Sequence, residues 1–233
     1  MAWQHRDRAR LTGDGSDRSG GRDVHVTFFG KGPETPAAAR DQIAAAGDES
    51  PEQVSWLRQT HSSDVLEALP GLAGPGDALI TDLHDLALAV VTADCVPVLL
   101  AGAGGVAAVH AGWRGIVGGI VAAAVSRFDR PPLIAWVGPA ISAQAYEVGP
   151  DVASQIAAAS SDAVVRDGPR GRPHADLPRA VRWQLERAGV AEVRDVGLCT
   201  HGRGDLLHSY RREGADAGRN VTLVWSRPAD EPG

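Results

Sequence analysis

Three side chains of this 233-residue sequence stand where their types are uncommon. His61 lies in RQTHSS at the end of a predicted strand, Cys95 lies in VTADCVPVLL, and His110 closes the apolar run GGVAAVH just before AGWRG. The stretch between Cys95 and His110 has two apolar arms around AGAG and predicts a β-hairpin. With a two-residue loop at Gly102-Ala103, where a type II′ turn takes Gly first, pairing outward puts Cys95 opposite His110. Directly opposed residues have Cβ atoms roughly 4.5–5.5 Å apart, close enough to share one ion. A thiolate and two imidazoles suit Zn²⁺ better than Mg²⁺ or Ca²⁺. Three protein ligands leave a fourth position open, and zinc can bring the pKa of water there to about 7, the condition for hydrolytic deamination. Two other readings compete. Cys95 and His110 are a small buried residue and a hydrogen-bonded strand end, or they are a nucleophile–base pair of a thiol hydrolase, oriented by Gln59 or Asp94.

The elements that must position these residues follow from the apolar pattern. Val24–Phe29, Val54–Leu57, Val65–Leu69, Ala78–Thr81, Leu86–Thr92, Val96–Ala101, Val106–His110, Leu133–Val137, Val193–Leu198 and Val221–Trp225 predict strands, with another near Leu206–Tyr210. Helices are expected over Pro36–Ala46, with Thr35 as N-cap and Gly47 as stop, and over Arg114–Phe128 and Asp151–Ala159. A further helix is expected over Leu177–Ala188, capped by Asp176 and ended by Gly189. GLAGPG reads as a turn and Asp167–Pro173 as an exposed loop. Residues 1–23 form a polar segment expected to be flexible, and 24–228 a single mixed α and β domain.

The composition bounds the function. The sequence is 43% hydrophobic and 22% charged with a formal net charge of −6, and no long basic run points to a nucleic-acid partner. Cys95 and Cys199 are its two cysteines, too few for a secreted disulfide scaffold. No apolar signal segment opens the chain, and the longest apolar stretch, Leu86–Val109, is broken by Thr92, Asp94 and Pro97. A cytoplasmic protein with no membrane partner is expected.

At these same residues the sequence resembles the laccase-domain family, also called multicopper polyphenol oxidase-like or peptidoglycan editing factor-like proteins. The resemblance runs from about Trp56 to Trp225. It is carried by QTH (59–61), DALIT (77–81), TADCVPVLL (92–100), HAGWRG (110–115), GPAI with YEVG (138–141 and 146–149), LCT (198–200) and SYRREG with GR (209–214 and 218–219). It implies an α+β fold in which two mixed sheets pack together with helices outside. It also implies zinc on His61, Cys95 and His110, with copper as the alternative, and purine nucleosides and phosphate as substrates. The implied reactions are phosphorolysis of adenosine, inosine, guanosine and methylthioadenosine, and deamination of adenosine; a homo-oligomer is compatible. The family's names suggest two rival activities, editing of cell-wall precursors and copper-dependent polyphenol oxidation. A trinuclear copper cluster would need many more histidines than the eight present, and there is no HxH pair. The sequence departs from the pattern at Gln144, where a Cys often precedes YEVG, and at His208, where an aromatic usually precedes SYRR.

Around the metal ligands, Asp94 is the nearest carboxylate and a candidate proton shuttle or scaffold residue. Arg114, at a helix entry, and Arg211 and Arg212 are candidates for binding phosphate. Tyr146 and Tyr210 are candidates for stacking on a base or binding a hydroxyl, and Gln59, two residues before His61, is a candidate for orienting a ligand.

Overall fold

Runs such as LALAVVT and VPVLLAG lack a polar face, so their strands must be covered on both sides. A computed structural model describes residues 4–11, 22–132, 134–169 and 171–229 and shows how this is done. The first half of the chain runs β1 (Gln4–Leu11), β2 (Arg22–Phe29), α1 (Pro36–Ala45), β3 (Gln53–Arg58), β4 (Val65–Glu67), β5 (Gly71–Pro75), β6 (Ala78–Thr81), β7 (Leu86–Thr92), β8 (Val96–Gly102) and β9 (Gly105–Ala111). The second half runs α2 (Trp113–Val117), α3 (Ile120–Val125), β10 (Ile134–Val137), α4 (Pro150–Ala159), β11 (Val165–Asp167), β12 (Pro173–Ala175), α5 (Leu177–Arg187), β13 (Glu192–Asp195), α6 (Tyr210–Glu213) and β14 (Asn220–Pro228).

Two six-stranded mixed sheets result, ordered β1-β2-β14-β7-β3-β5 and β13-β10-β8-β9-β6-β4. Side-chain alternation divides the core into three layers. On β7, Leu86, Leu88 and Val90 face the second sheet, where they join Leu99 and Ala101 of β8, Val106 and Ala108 of β9, and Trp136. Ala87 and Ala89 face the other way and pack with Ile43 of α1. Across the second sheet, Val96, Val98 and Leu100 of β8 pack with Ile116, Ile120, Ile156, Val181 and Leu185. The order is therefore α1, sheet, sheet, α2 to α5, in a single α+β domain.

Local chemistry sets the helix ends. The Thr35 hydroxyl accepts from Ala38 N–H at 3.1 Å, and the Asp176 carboxylate accepts from Arg179 N–H at 3.0 Å, so both expected caps are in place. Four expectations are corrected. The hairpin loop is Ala103-Gly104, and Pro97, not Cys95, stands opposite His110. The register shift of two residues preserves parity: Cys95, one residue before β8, is two residues from Pro97, the partner of His110. GLAGPG is not a turn: Gly71–Pro75 is the edge strand β5, parallel to β3, with positive φ at Gly71 and Gly74. The helix expected over Arg114–Phe128 is two short helices, because Gly119 takes φ 84 between them. The strand expected near Leu206–Tyr210 is a loop leading into α6, since the Ser209 hydroxyl accepts from Arg212 N–H and caps that helix. At the ends of the expected Asp167–Pro173 loop, Asp167 and Pro173 pair as part of a small hairpin, β11 with β12. Of the polar segment 1–23, Gln4–Leu11 forms edge strand β1 against β2, while residues 1–3 and 12–21 lie outside the described residues.

Candidate metal centre

The two sheets deliver the three predicted ligands to one place. His61 belongs to the loop after β3 of the first sheet. Cys95 lies where the chain crosses from β7 in the first sheet to β8 in the second, and His110 is the penultimate residue of β9. Their ligating atoms all lie within 4.8 Å of one another. Cys95 Sγ is 3.8 Å from His61 Nε2, and the imidazole rings of His61 and His110 meet edge to face with centroids 4.8 Å apart. Tetrahedral zinc with bonds of about 2.0–2.3 Å sets its ligand atoms about 3.3–3.7 Å apart, so the residues fit such an ion after small adjustments. His61 is exposed, Cys95 half-buried and His110 buried, which places the group at the molecular surface. Gly112 N-caps α2 against it: a Cβ there would stand 2.8 Å from His61 Cδ2 and 3.1 Å from Cys95 Sγ.

Asp77 holds two of the ligands and has no counterpart among the sites expected from sequence. Its side chain is fully buried. Oδ1 accepts from His110 Nδ1–H at 2.7 Å and from His61 N–H at 3.0 Å. Oδ2 accepts from the backbone N–H and hydroxyl of Thr60 and of Ser62 at 2.6–3.2 Å. His110 Nε2 is thereby left without this partner and available to a metal ion, the carboxylate–histidine arrangement common at metal sites. Asp77 opens the quoted DALIT segment. β6 pairs with β9 so that Ala78 meets Val109, and correct strand pairing in the sequence would have brought Asp77 beside His110.

The electrostatics suit a thiolate ligand. Burial opposes ionisation of Cys95, but hydrogen bonds from His110 and His61 outweigh it and bring the thiol down to about 7. Burial likewise disfavours charge on His110, yet Asp77 and Cys95 raise it to about 9. Asp77 is itself buried, but its hydrogen bonds to His110 and Ser62 hold it well below the usual carboxylate range.

The other expected site residues divide into two sets. Tyr146 is half-buried beside the centre, within electrostatic reach of Cys95, Arg211, Asp94 and Arg114. The Arg211 guanidinium lies over its ring at 5.0 Å and donates from Nη1 to Glu147 O. Arg114 is exposed and sits over Trp113 at 4.6 Å, and Tyr210 is 58% exposed. The remaining groups are tied into the framework. Asp94, at φ 95, accepts from the Thr200 hydroxyl at 2.5 Å and from Arg211 N–H at 2.7 Å. The Gln59 amide donates to Val91 O and accepts from Val91 N–H, extending the β3–β7 ladder with a side chain. The Arg212 guanidinium donates to Thr200 O, His201 O, Leu207 O and Glu213. Cys199 Sγ accepts from the N–H groups of Ser142 and Gly202.

A single domain of two packed mixed sheets, with a His–Cys–His ligand set where the sheets meet, defines the class. The chain belongs to the family described as multi-copper polyphenol oxidoreductase laccase, whose pattern matches residues 27–227. It is 36% identical over 203 residues to purine nucleoside phosphorylase YfiH of Shigella flexneri, covering 84% of this chain and 83% of that protein. Against purine nucleoside phosphorylase PA4543 of Pseudomonas aeruginosa it is 39% identical over 178 residues, 73% of each chain. Among solved structures, Neisseria meningitidis protein NMB0706 superposes with a TM-score of 0.72 at 31% identity, covering 94% of this chain and 98% of that one. YlmD of Geobacillus stearothermophilus gives 0.75 at 25% identity, covering 88% and 92%. Among the described residues, no helix is long and apolar enough to cross a membrane.

Proposed function

We propose that the chain is a zinc-dependent purine nucleoside phosphorylase acting on adenosine, inosine, guanosine and methylthioadenosine, and that it also deaminates adenosine. The observation that carries the reading is that Tyr146 lies within electrostatic reach of Cys95 and under the Arg211 guanidinium, 5.0 Å from its ring. Relatives that cover most of the chain carry the phosphorylase name. Zinc on His61, Cys95 and His110 would supply a Lewis acid with an open coordination position. Phosphate would be gripped by the Arg211 and Arg114 guanidinium groups. Burial pushes the Tyr146 hydroxyl up to about 12, so at neutral pH it keeps its proton and donates a hydrogen bond to the base or the ribose. In phosphorolysis a phosphate oxygen bonds to ribose C1′. The C1′–N9 bond breaks, its electron pair leaves with the purine, and the purine gains a proton. We assign Asp94, Gln59 and Arg212 to holding this site together, because their polar atoms are engaged within the protein. Cytoplasmic location is part of the same proposal.

Purified protein incubated with inosine and phosphate is expected to release hypoxanthine and ribose 1-phosphate in equal amounts. Hypoxanthine with free ribose, formed at the same rate without phosphate, would overturn phosphorolysis. Conversion of adenosine to inosine tests the deaminase activity. One observation favours a second reading: Cys95, His110 and Asp77 stand in the order of a nucleophile, a base and its orienting carboxylate. Full activity in metal-stripped protein would establish that thiol mechanism instead.

A further inference from the structure

We infer that Asp77 is the positioning residue for both imidazole ligands: one buried carboxylate selects the ligating nitrogen of His110 and fixes the backbone turn that presents His61. The inference rests on reading His61, Cys95 and His110 as a metal centre. For His110 the argument is one of proton placement. An ionised carboxylate only accepts, so the 2.7 Å contact puts the ring proton on Nδ1 and directs the Nε2 lone pair outward. The His110 backbone is held by the same residue, since its N–H donates to Asp77 O at 2.7 Å.

For His61 the argument is one of backbone shape. His61 sits at φ 61, in the left-handed region that residues with a Cβ avoid. The N–H groups of Thr60, His61 and Ser62 converge there on the two Asp77 oxygens, a turn that wraps an anion. Asp64 O closes the loop by accepting from the N–H groups of Asp77 and Ala78. Without the carboxylate, three adjacent donors lose their common acceptor, and the strained residue is the one that carries the ligand. Cys95 reaches the centre by a separate route, through the β7–β8 crossing pinned by Asp94. A change at Asp77 therefore acts on the two nitrogen ligands and spares the sulfur.

The test compares wild type with Asp77→Asn, whose amide matches the carboxylate in size but turns one acceptor into a donor. Zinc affinity, measured by competition with a chelator, is expected to fall about 10- to 100-fold. With cobalt(II) as probe, the near-ultraviolet thiolate charge-transfer band should persist while the visible ligand-field bands shift. Wild-type affinity together with unchanged ligand-field bands in the variant would overturn this inference alone. Failure of wild-type protein to retain zinc would overturn the metal-centre reading and this inference with it. Should Asp77→Asn not fold, ¹⁵N spectra of zinc-loaded wild type decide. A proton on His110 Nδ1 with zinc on Nε2 supports the inference, and zinc on Nδ1 contradicts it.

Discussion

The Asp94 carboxylate accepts a 2.7 Å hydrogen bond from the backbone N–H of Arg211, residues 117 positions apart in sequence. Its other oxygen accepts from the Thr200 hydroxyl. The bond ties the turn carrying Cys95 to the segment whose guanidinium lies over Tyr146. It gives Asp94 a structural task that a catalytic base would have to share. Asparagine tolerates the same positive φ and can keep the contact to Arg211 N–H. Asp94→Asn is expected to retain kcat within about threefold, whereas loss of a general base would lower it roughly 10²- to 10⁴-fold. Steady-state kinetics with inosine and phosphate distinguishes the two.

Neighbouring arginines should behave differently. Arg211→Ala removes the guanidinium over Tyr146 and is expected to raise KM for phosphate at least about tenfold, since bidentate contacts of this kind contribute about 1.5–3 kcal/mol. Arg212→Ala strips hydrogen bonds from three carbonyls and Glu213, and should cost about 2–3 kcal/mol of stability. Equal KM effects with no change in melting temperature for either variant would contradict the division.

Gly112 is at φ −74, so alanine is allowed by the backbone. The added methyl would be 2.8 Å from His61 Cδ2 and 3.1 Å from Cys95 Sγ. Gly112→Ala is expected to weaken zinc binding by about tenfold or more, with the metal-free melting temperature within a few degrees of wild type. Chelator competition checks the first expectation and a thermal melt the second.

Glu213 provides a pH test away from the proposed metal ligands. Its partial burial would raise the carboxyl, but Arg212, the Ser209 N–H and His208 outweigh that and bring it from 4.5 to about 2. A folded-state pKa below the unfolded one means the stabilisation is complete above about 4.5 and disappears as pH falls toward 2. The gap in melting temperature between wild type and Glu213→Gln is expected to narrow from pH 6 to pH 3. A gap independent of pH would show that the charge plays no part.

The convergence of His61, Cys95 and His110 is legible in the sequence because these residues differ from their surroundings: a cysteine and a histidine at the ends of apolar strands, and a histidine after a third. The hairpin register expected from the sequence differs by two residues from the observed one, an even shift that leaves Cys95 on the parity of Pro97, the partner of His110. Parity therefore mattered more than alignment. β5 was hidden because glycine and proline normally mark turns, and here they form an edge strand whose positive φ values at Gly71 and Gly74 require glycine. The break between α2 and α3 falls at the Gly118-Gly119 pair, where Gly119 turns left-handed between two apolar runs. Asp77 escaped because a carboxylate ahead of a strand resembles an ordinary turn residue. Its role exists only through the β6–β9 pairing and the His61 loop folding over it.

X-ray absorption at the zinc edge of the purified wild-type protein probes the centre itself. One sulfur at about 2.3 Å and two imidazole nitrogens at about 2.0–2.1 Å are predicted, with one zinc per chain. The sulfur should disappear in Cys95→Ala. A first shell without sulfur in wild type, or a shell unaltered by Cys95→Ala, would contradict the convergence of His61, Cys95 and His110 on one ion.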